Sequence, residues 1–259
     1  MFERIFILEN KKITGIAKEK EKLENLLKSC GKTVEKKIKN PDLILTMGGD
    51  GTILKAIGLL KSPKTIIYGI NYGKVGFLTN SSENIEEKIK KVLDGKFKIS
   101  ERILLELKIK KGNKAVYKGK VLNDFLVFRK GIRIVEIEVF IDEKSVFNFR
   151  GDGIIISTPT GSTAHSLSAG GPVIFPDNEC ILLTPFCPYS LNTRPLIIPS
   201  DKIVKIKISP DGKVIGDGQK EYDVEKDELI EIKKSEIKAK LIIEDNFSEK
   251  LKSKFNFGK

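Results

Sequence analysis

Asp42-Leu43-Ile44-Leu45-Thr46-Met47 is apolar for most of its length, then breaks into Gly48-Gly49-Asp50-Gly51-Thr52 and continues as Ile53-Leu54-Lys55-Ala56-Ile57-Gly58-Leu59-Leu60. A short apolar run bounded by glycines reads as a strand buried on both faces and the segment after it as a helix, so the glycines form a strand-to-helix turn. Strands without a polar face belong to mostly parallel sheets covered on both sides. The surrounding pattern agrees. Arg4 to Glu9 predicts a first strand, and Ile16 to Cys30 a helix with Leu23, Leu26 and Leu27 on one face, ended by Gly31. Thr65 to Ile70 predicts another continuous apolar strand, and Ile85 to Leu93 a helix closed by Asp94-Gly95. This alternation is that of an α/β domain, placed at residues 1–96.

Turns of this kind bind phosphate. Glycines let backbone N–H groups approach an anion closely, and the helix N-terminus adds a partial positive charge. Asp50 is the odd member, because its charge repels a phosphate unless a divalent cation intervenes or the carboxylate has a proton to take from an acceptor hydroxyl. Read from this loop alone, a tight turn whose Asp caps the helix is an equal alternative. The turn is neither a P-loop nor the dinucleotide fingerprint G-x-G-x-x-G. The glycine-punctuated stretch from Asn71 to Leu78 predicts a loop beside it, since loops at strand C-termini gather there.

From about Phe97 the period changes to two. Leu105 to Lys110, Glu136 to Ile141 and Val204 to Ile208 alternate like half-exposed antiparallel strands, with turns at Lys111-Gly112-Asn113 and Pro210-Asp211-Gly212-Lys213. A β-rich domain over residues 97–245 is therefore expected. The tail, 246–259, alternates charge with apolar residues from Phe247 to Phe255 and predicts a short helix packing back on the first domain.

The 259 residues are 40% hydrophobic and 32% charged, a soluble globular balance, and no apolar run is long enough to span a bilayer. The amino terminus lacks a secretory cleavage pattern, so a cytoplasmic location is expected. Cys30, Cys180 and Cys187 show neither C-x-x-C nor zinc spacing, and His165 is the only histidine, which excludes a histidine-rich metal site. No protein metal ligands are assigned. The net charge of +12 suggests polyanionic partners. Much of the excess, however, is Lys interleaved with Glu, as in Lys18-Glu19-Lys20-Glu21-Lys22, and no basic patch carries stacking aromatics. Neither nucleic acid nor membrane is expected as a partner.

The densest polar and glycine-rich stretch runs from Arg150-Gly151-Asp152-Gly153 through Ser157-Thr158-Pro159-Thr160-Gly161-Ser162-Thr163-Ala164-His165-Ser166-Leu167-Ser168 to Gly171-Pro172. So many hydroxyls on a turn that enters a helix suit recognition of a nucleobase and ribose edge. Together with Gly48-Gly49-Asp50-Gly51 and Asn123-Asp124, this stretch resembles the NAD kinase family over nearly the whole chain and in the correct order.

The resemblance implies a Rossmann-like, phosphofructokinase-like parallel-sheet domain followed by a β-rich sandwich domain. It also implies transfer of the terminal phosphoryl group of ATP to the 2′-hydroxyl of the adenosine ribose of NAD. Asp50 is then the base, with Gly48, Gly49, Gly51 and Lys55 around the phosphates; the lesser alternative for Lys55 is a solvated helix lysine. Asn123 and Asp124 hold ribose hydroxyls, Asp124 standing where many relatives have Glu. Thr163, Ala164, His165, Ser166, Leu167 and Ser168 line the NAD pocket, His165 standing where many relatives have Tyr. Asp152 meets the second nucleoside, Arg133 and Arg150 meet phosphate or ribose across a subunit boundary or are strand-surface charges, and Gln219 is the last matching position. Mg²⁺ or another divalent cation accompanies ATP, polyphosphate is an alternative donor, and a homodimer or homotetramer is expected. The alternative is a diacylglycerol-type lipid kinase using the same turn, which predicts an apolar cleft or membrane-facing surface. A non-enzymatic nucleotide-binding module gains nothing from the charge of Asp50.

Overall fold

The computed structural model describes residues 2–73, 76–112 and 114–255; Lys74, Val75 and Asn113, in two of the loops read from the sequence, lie outside the described residues. The chain first lays down β1 (Arg4–Glu9), α1 (Ile16–Ser29), β2 (Thr33–Glu35), β3 (Leu43–Gly48), α2 (Asp50–Gly58), β4 (Ile66–Asn71), β5 (Asn80–Ser81), α3 (Ile85–Leu93) and β6 (Ile99–Arg102). Next come β7 (Leu105–Lys111), β8 (Lys114–Val121), β9 (Asp124–Arg129), β10 (Val135–Ile141), β11 (Lys144–Gly151) and β12 (Gly153–Ser157). After a 3-10 turn at Thr160–Thr163 follow α4 (His165–Ser168), β13 (Cys180–Phe186), β14 (Leu196–Pro199), β15 (Val204–Ser209), β16 (Gly212–Gly216), β17 (Lys220–Val224) and β18 (Glu228–Lys234). The last elements are β19 (Ala239–Ile242) and α5 (Phe247–Phe255).

Two compact units result, Met1–Glu101 with Ala239–Lys259, and Arg102–Lys238. The boundaries at 97 and 245 read from the sequence shift accordingly. β6 and β19 both join the first sheet, where β19 runs parallel to β4 with Leu241 opposite Ile67. A four-residue strand is too short for its period to say which sheet it enters.

The first unit holds a sheet in the order β2-β1-β3-β4-β19-β6, with β5 beside β4. β1 pairs parallel with both β2 and β3, and β3 with β4. Every residue of β3 is buried, as its unbroken apolar run requires, and α1 covers the sheet with Ile16, Leu23 and Leu27. Each such side chain contributes about 1.5–3 kcal/mol on leaving water. Because β2 and β3 flank β1 on opposite sides, the direction of winding reverses between β1 and β3, and ligands of open α/β sheets bind at the carboxyl ends of the strands at such a point. Gly48, the last residue of β3, lies there.

The second unit contains two six-stranded antiparallel sheets, in the orders β11-β10-β15-β18-β7-β8 and β14-β13-β12-β9-β16-β17. One core unites them, taking Leu105, Leu107 and Ile109 from β7 and Ile206 and Ile208 from β15 of one sheet, and Val127 from β9 and Ile154 and Ile156 from β12 of the other. The alternation in the sequence is thus a β-sandwich with one face of each sheet turned inward. Among the described residues no helix is long and apolar enough to cross a membrane, and all three cysteines are free.

Candidate active site

At the end of β3, Gly49 is the N-cap residue of α2, extended at φ −104° and ψ −169°, and no side chain caps the helix. Asp50 is the first residue of α2, so the capping role is excluded. Its carboxylate reaches across to the loop after β4. Oδ2 accepts the Phe77 N–H at 2.7 Å, while Oδ1 accepts the Leu78 N–H at 3.1 Å and the Thr79 hydroxyl at 3.2 Å. The described part of the loop expected beside Asp50 is therefore there. An ionised carboxylate offers about four acceptor sites, so three donors fix its direction and leave room for one proton from outside. Gly76 makes the approach possible, since a Cβ there would stand 1.7 Å from Asp50 Oδ1.

The glycines of the turn differ from one another. A Cβ on Gly48 would stand 2.2 Å from Thr52 Oγ1, whereas on Gly49 or Gly51 it would meet nothing within 4 Å. Open space beside bare backbone at a helix N-terminus is what a phosphate needs. Lys55 is exposed on α2.

In the second unit, Asp124 at the start of β9 pairs opposite Ser157 at the end of β12, which brings Asn123 and Asp124 beside the hydroxyl-rich segment. The Asn123 loop is held from three directions. The Asp217 carboxylate accepts the N–H groups of Leu122 at 3.0 Å, Asn123 at 2.8 Å and Asp124 at 3.2 Å. The Thr158 hydroxyl donates to the Leu122 carbonyl, and the Thr158 N–H to the Asn123 carbonyl at 2.9 Å. Gly161 packs so tightly there that a Cβ would lie 2.2 Å from the Asn123 carbonyl oxygen. Burial pushes Asp217 up to about 6, against the pull of its backbone donors.

Asp124 is 1% exposed; its Oδ1 meets His165 Nδ1 at 3.3 Å, and its buried Oδ2 has no hydrogen-bond partner. Thr160 Oγ1 is buried without a partner as well. Leaving such a group unsatisfied costs about 1–3 kcal/mol, and a ribose hydroxyl is a donor that would complete the carboxylate. The shorter Asp and the imidazole fit each other, and the hydrogen bond to Asp124 raises the His165 pKa above its ordinary value while burial opposes it. Thr163, Ala164, Leu167 and Ser168 are at least partly exposed, but the Ser166 side chain faces inward, its hydroxyl 2.8 Å from Thr184 Oγ1. Gln219 is exposed in the same hairpin turn as Asp217, and a Cβ on Gly218 would lie 3.8 Å from His165 Cε1.

The remaining expected residues gather elsewhere. Asp152 precedes β12, about 16 Å from Ser157 at about 3.3 Å per residue, and its Oδ1 is 2.6 Å from Arg129 Nε. Arg150 is exposed on β11 opposite Glu136, and Arg133 is exposed in the loop after β9 rather than on a strand. Asp217 and Arg129 were not singled out from the sequence. An Asp-Gly pair reads as turn chemistry, and Asp217 does take the left-handed conformation of such a turn at φ +49°, while Arg129 reads as a strand-end charge.

Two families match this chain, the ATP-NAD kinase N-terminal domain over residues 7–97 and the ATP-NAD kinase C-terminal domain over residues 122–243. The NAD kinase of Caldicellulosiruptor saccharolyticus is 40% identical over 217 residues, 82% of this chain and 82% of that protein. That of Aquifex aeolicus is 38% identical over 204 residues, 77% and 74% of the two chains. The chain belongs to the NAD kinase family. A longer relative, the bifunctional NADP phosphatase/NAD kinase of Methanocaldococcus jannaschii, is 39% identical over 80% of this chain, which spans only 37% of that protein.

Solved NAD kinase structures agree. The enzyme of Archaeoglobus fulgidus in complex with ATP superimposes at a TM-score of 0.82 with 30% identity, covering 98% of each chain. Yeast NADH kinase complexed with NADH gives 0.91, covering 99% of this chain and 88% of that one; at 24% identity it speaks for the fold alone. The lipid-kinase alternative gains no support from these NAD kinase relatives.

Proposed function

We propose that this NAD kinase family member transfers the terminal phosphoryl group of ATP to the 2′-hydroxyl of the adenosine ribose of NAD, with Asp50 as the base. The observation that carries the reading is the Asp50 carboxylate itself, turned away from its own helix and held by three donors with one acceptor site left. In the transfer, the 2′-oxygen forms a bond to the γ-phosphorus as the bond to the ADP oxygen breaks, and the hydroxyl proton passes to Asp50. A carboxylate is too weak a base to strip a ribose hydroxyl beforehand, so the proton moves late, as the new bond forms.

Asn123, the unpartnered oxygen of Asp124, and the exposed side of the Thr163–Ser168 segment orient the dinucleotide, with His165 available to stack on a ring. Gly48, Gly49 and Gly51 form the turn that faces the phosphates, and Lys55 adds positive charge. Asp152, tied to Arg129, serves the second nucleoside. Among the described residues no group of three or more His, Cys, Asp or Glu side chains could hold a metal ion. With Asp50 the one carboxylate of the turn, a divalent cation would be carried mainly by the phosphates of ATP and would neutralise their charge when bound.

We assign a homo-oligomer on the strength of large apolar side chains exposed beside the two outlying arginines. Ile132 is 95% exposed next to Arg133, and Tyr189, whose N–H donates to the Arg150 carbonyl, is 82% exposed. Sedimentation tests that assignment. The Asp50→Asn variant tests the base: its steady-state NADP formation should fall by about 10²- to 10⁴-fold, equivalent to about 3–5 kcal/mol of barrier, while NAD binding is retained. Near-normal turnover would reject the role, and polyphosphate in place of ATP in the same assay defines the donor.

A further inference from the structure

Helix α5 has no part in the chemistry described so far, yet it grips the loop that holds Asp50. Its Lys250 is only 3% exposed, and lysine is almost never so buried without partners. Its ammonium group donates to the Phe77 carbonyl at 3.3 Å and the Thr79 carbonyl at 3.0 Å, with Asp245 Oδ2 3.5 Å away. Those carbonyls belong to the segment whose other groups, the N–H of Phe77, the N–H of Leu78 and the hydroxyl of Thr79, bind the Asp50 carboxylate.

The same helix also holds residue 77 by its ring. The Phe77 ring lies 6.0 Å from that of Phe247 and 5.3 Å from that of Phe255, with Lys254 Nζ 4.6 Å from its centroid. Burial lowers the pKa of Lys250, opposed by the charges of Asp245 and Asp50. A residue needed only to fill this space would be apolar, since desolvating an ammonium group is costly. Beside its ion pair with Asp245, the ammonium adds two directed hydrogen bonds to one stretch of backbone.

We propose that Lys250 is a positioning residue for phosphoryl transfer: by holding the carbonyls of Phe77 and Thr79 it fixes the three donors that aim the Asp50 carboxylate. The proposal rests on the reading of Asp50 as the base. Small misplacements of a reacting group are expensive in rate, up to about 10²-fold for 1 Å, so a loosened loop should affect turnover before it affects substrate binding.

The test measures kcat and the KM values for NAD and ATP, per folded enzyme, in Lys250→Met, Asp50→Asn and the double variant, with amide hydrogen exchange at Phe77 and Leu78. Lys250→Met is expected to lower kcat about ten- to hundred-fold, to leave both KM values within about two-fold, and to speed exchange at the two amides. In the Asp50→Asn background it should cost nothing further. Full turnover of Lys250→Met beside a crippled Asp50→Asn overturns the positioning role and leaves Asp50 standing. An equal loss in the Asp50→Asn background also overturns it, because the effect is then general. Near-normal turnover of Asp50→Asn removes the base and this inference with it. Should Lys250→Met not fold, Lys250→Gln replaces it, and either full turnover with faster exchange at Phe77 and Leu78 or lowered turnover with unchanged exchange overturns the proposal.

Discussion

A Cβ atom on Gly76 would stand 1.7 Å from Oδ1 of Asp50 and 2.6 Å from Oγ1 of Thr79, so glycine is the residue that lets this loop close on the carboxylate. Gly76→Ala must move the loop, the Asp50 side chain, or both. The fold of the first unit should survive, because Gly76 belongs to neither a strand nor a helix. Turnover should fall at least ten-fold as the donors at 77–79 lose their alignment. Circular dichroism with a steady-state assay checks this, and an active Gly76→Ala enzyme would mean that the clamp is dispensable.

His165 is the only imidazole in the chain, so its proton NMR signals report one site. The raised folded-state value predicts titration above the ordinary value of about 6.5. The contribution to stability is fully present below the unfolded value and is lost as pH rises through the raised one. Asp124→Asn should bring the midpoint down and flatten that part of the stability profile. An unchanged midpoint in Asp124→Asn would show that the pair is not coupled.

Asp217 stands at the other end of the same contact network. Replacing it with Ala leaves three N–H groups of residues 122–124 without their acceptor, a destabilisation on the order of 3 kcal/mol. The variant should also bind NAD more weakly, since Asn123 and Asp124 lose their anchor. With the folded-state value raised to about 6, the contribution of the native carboxyl to stability is greatest below the unfolded value of about 3.9 and is lost as pH rises through about 6. Urea unfolding at pH 5 and pH 7 measures both effects; the wild-type difference between the two pH values should shrink in Asp217→Asn.

The elements were legible where local chemistry decided them. The buried run of β3, the glycines after it, and the two-residue period of β7, β10 and β15 each report their own environment, because a strand buried on two faces cannot carry polar residues and a half-exposed one must. The hydroxyl-rich segment predicts a recognition loop, but the hydroxyls of Ser157, Thr158, Ser162 and Ser166 are buried in hydrogen bonds within the fold, a use that composition does not distinguish. Whether Asp50 caps a helix or faces a substrate could not be read from its neighbours, since both fates use the same four residues. The answer depends on Phe77, Leu78 and Thr79, which the chain brings back after β4. Likewise Asp217 and Arg129 act on residues far away in sequence, so no local spacing marks them. By itself the sequence determined where the main strands and helices and the glycine turn after β3 form. Only the tertiary structure decided which atoms hold Asp50, Asp124 and Asp152, because those hydrogen bonds exist only once distant segments have packed together.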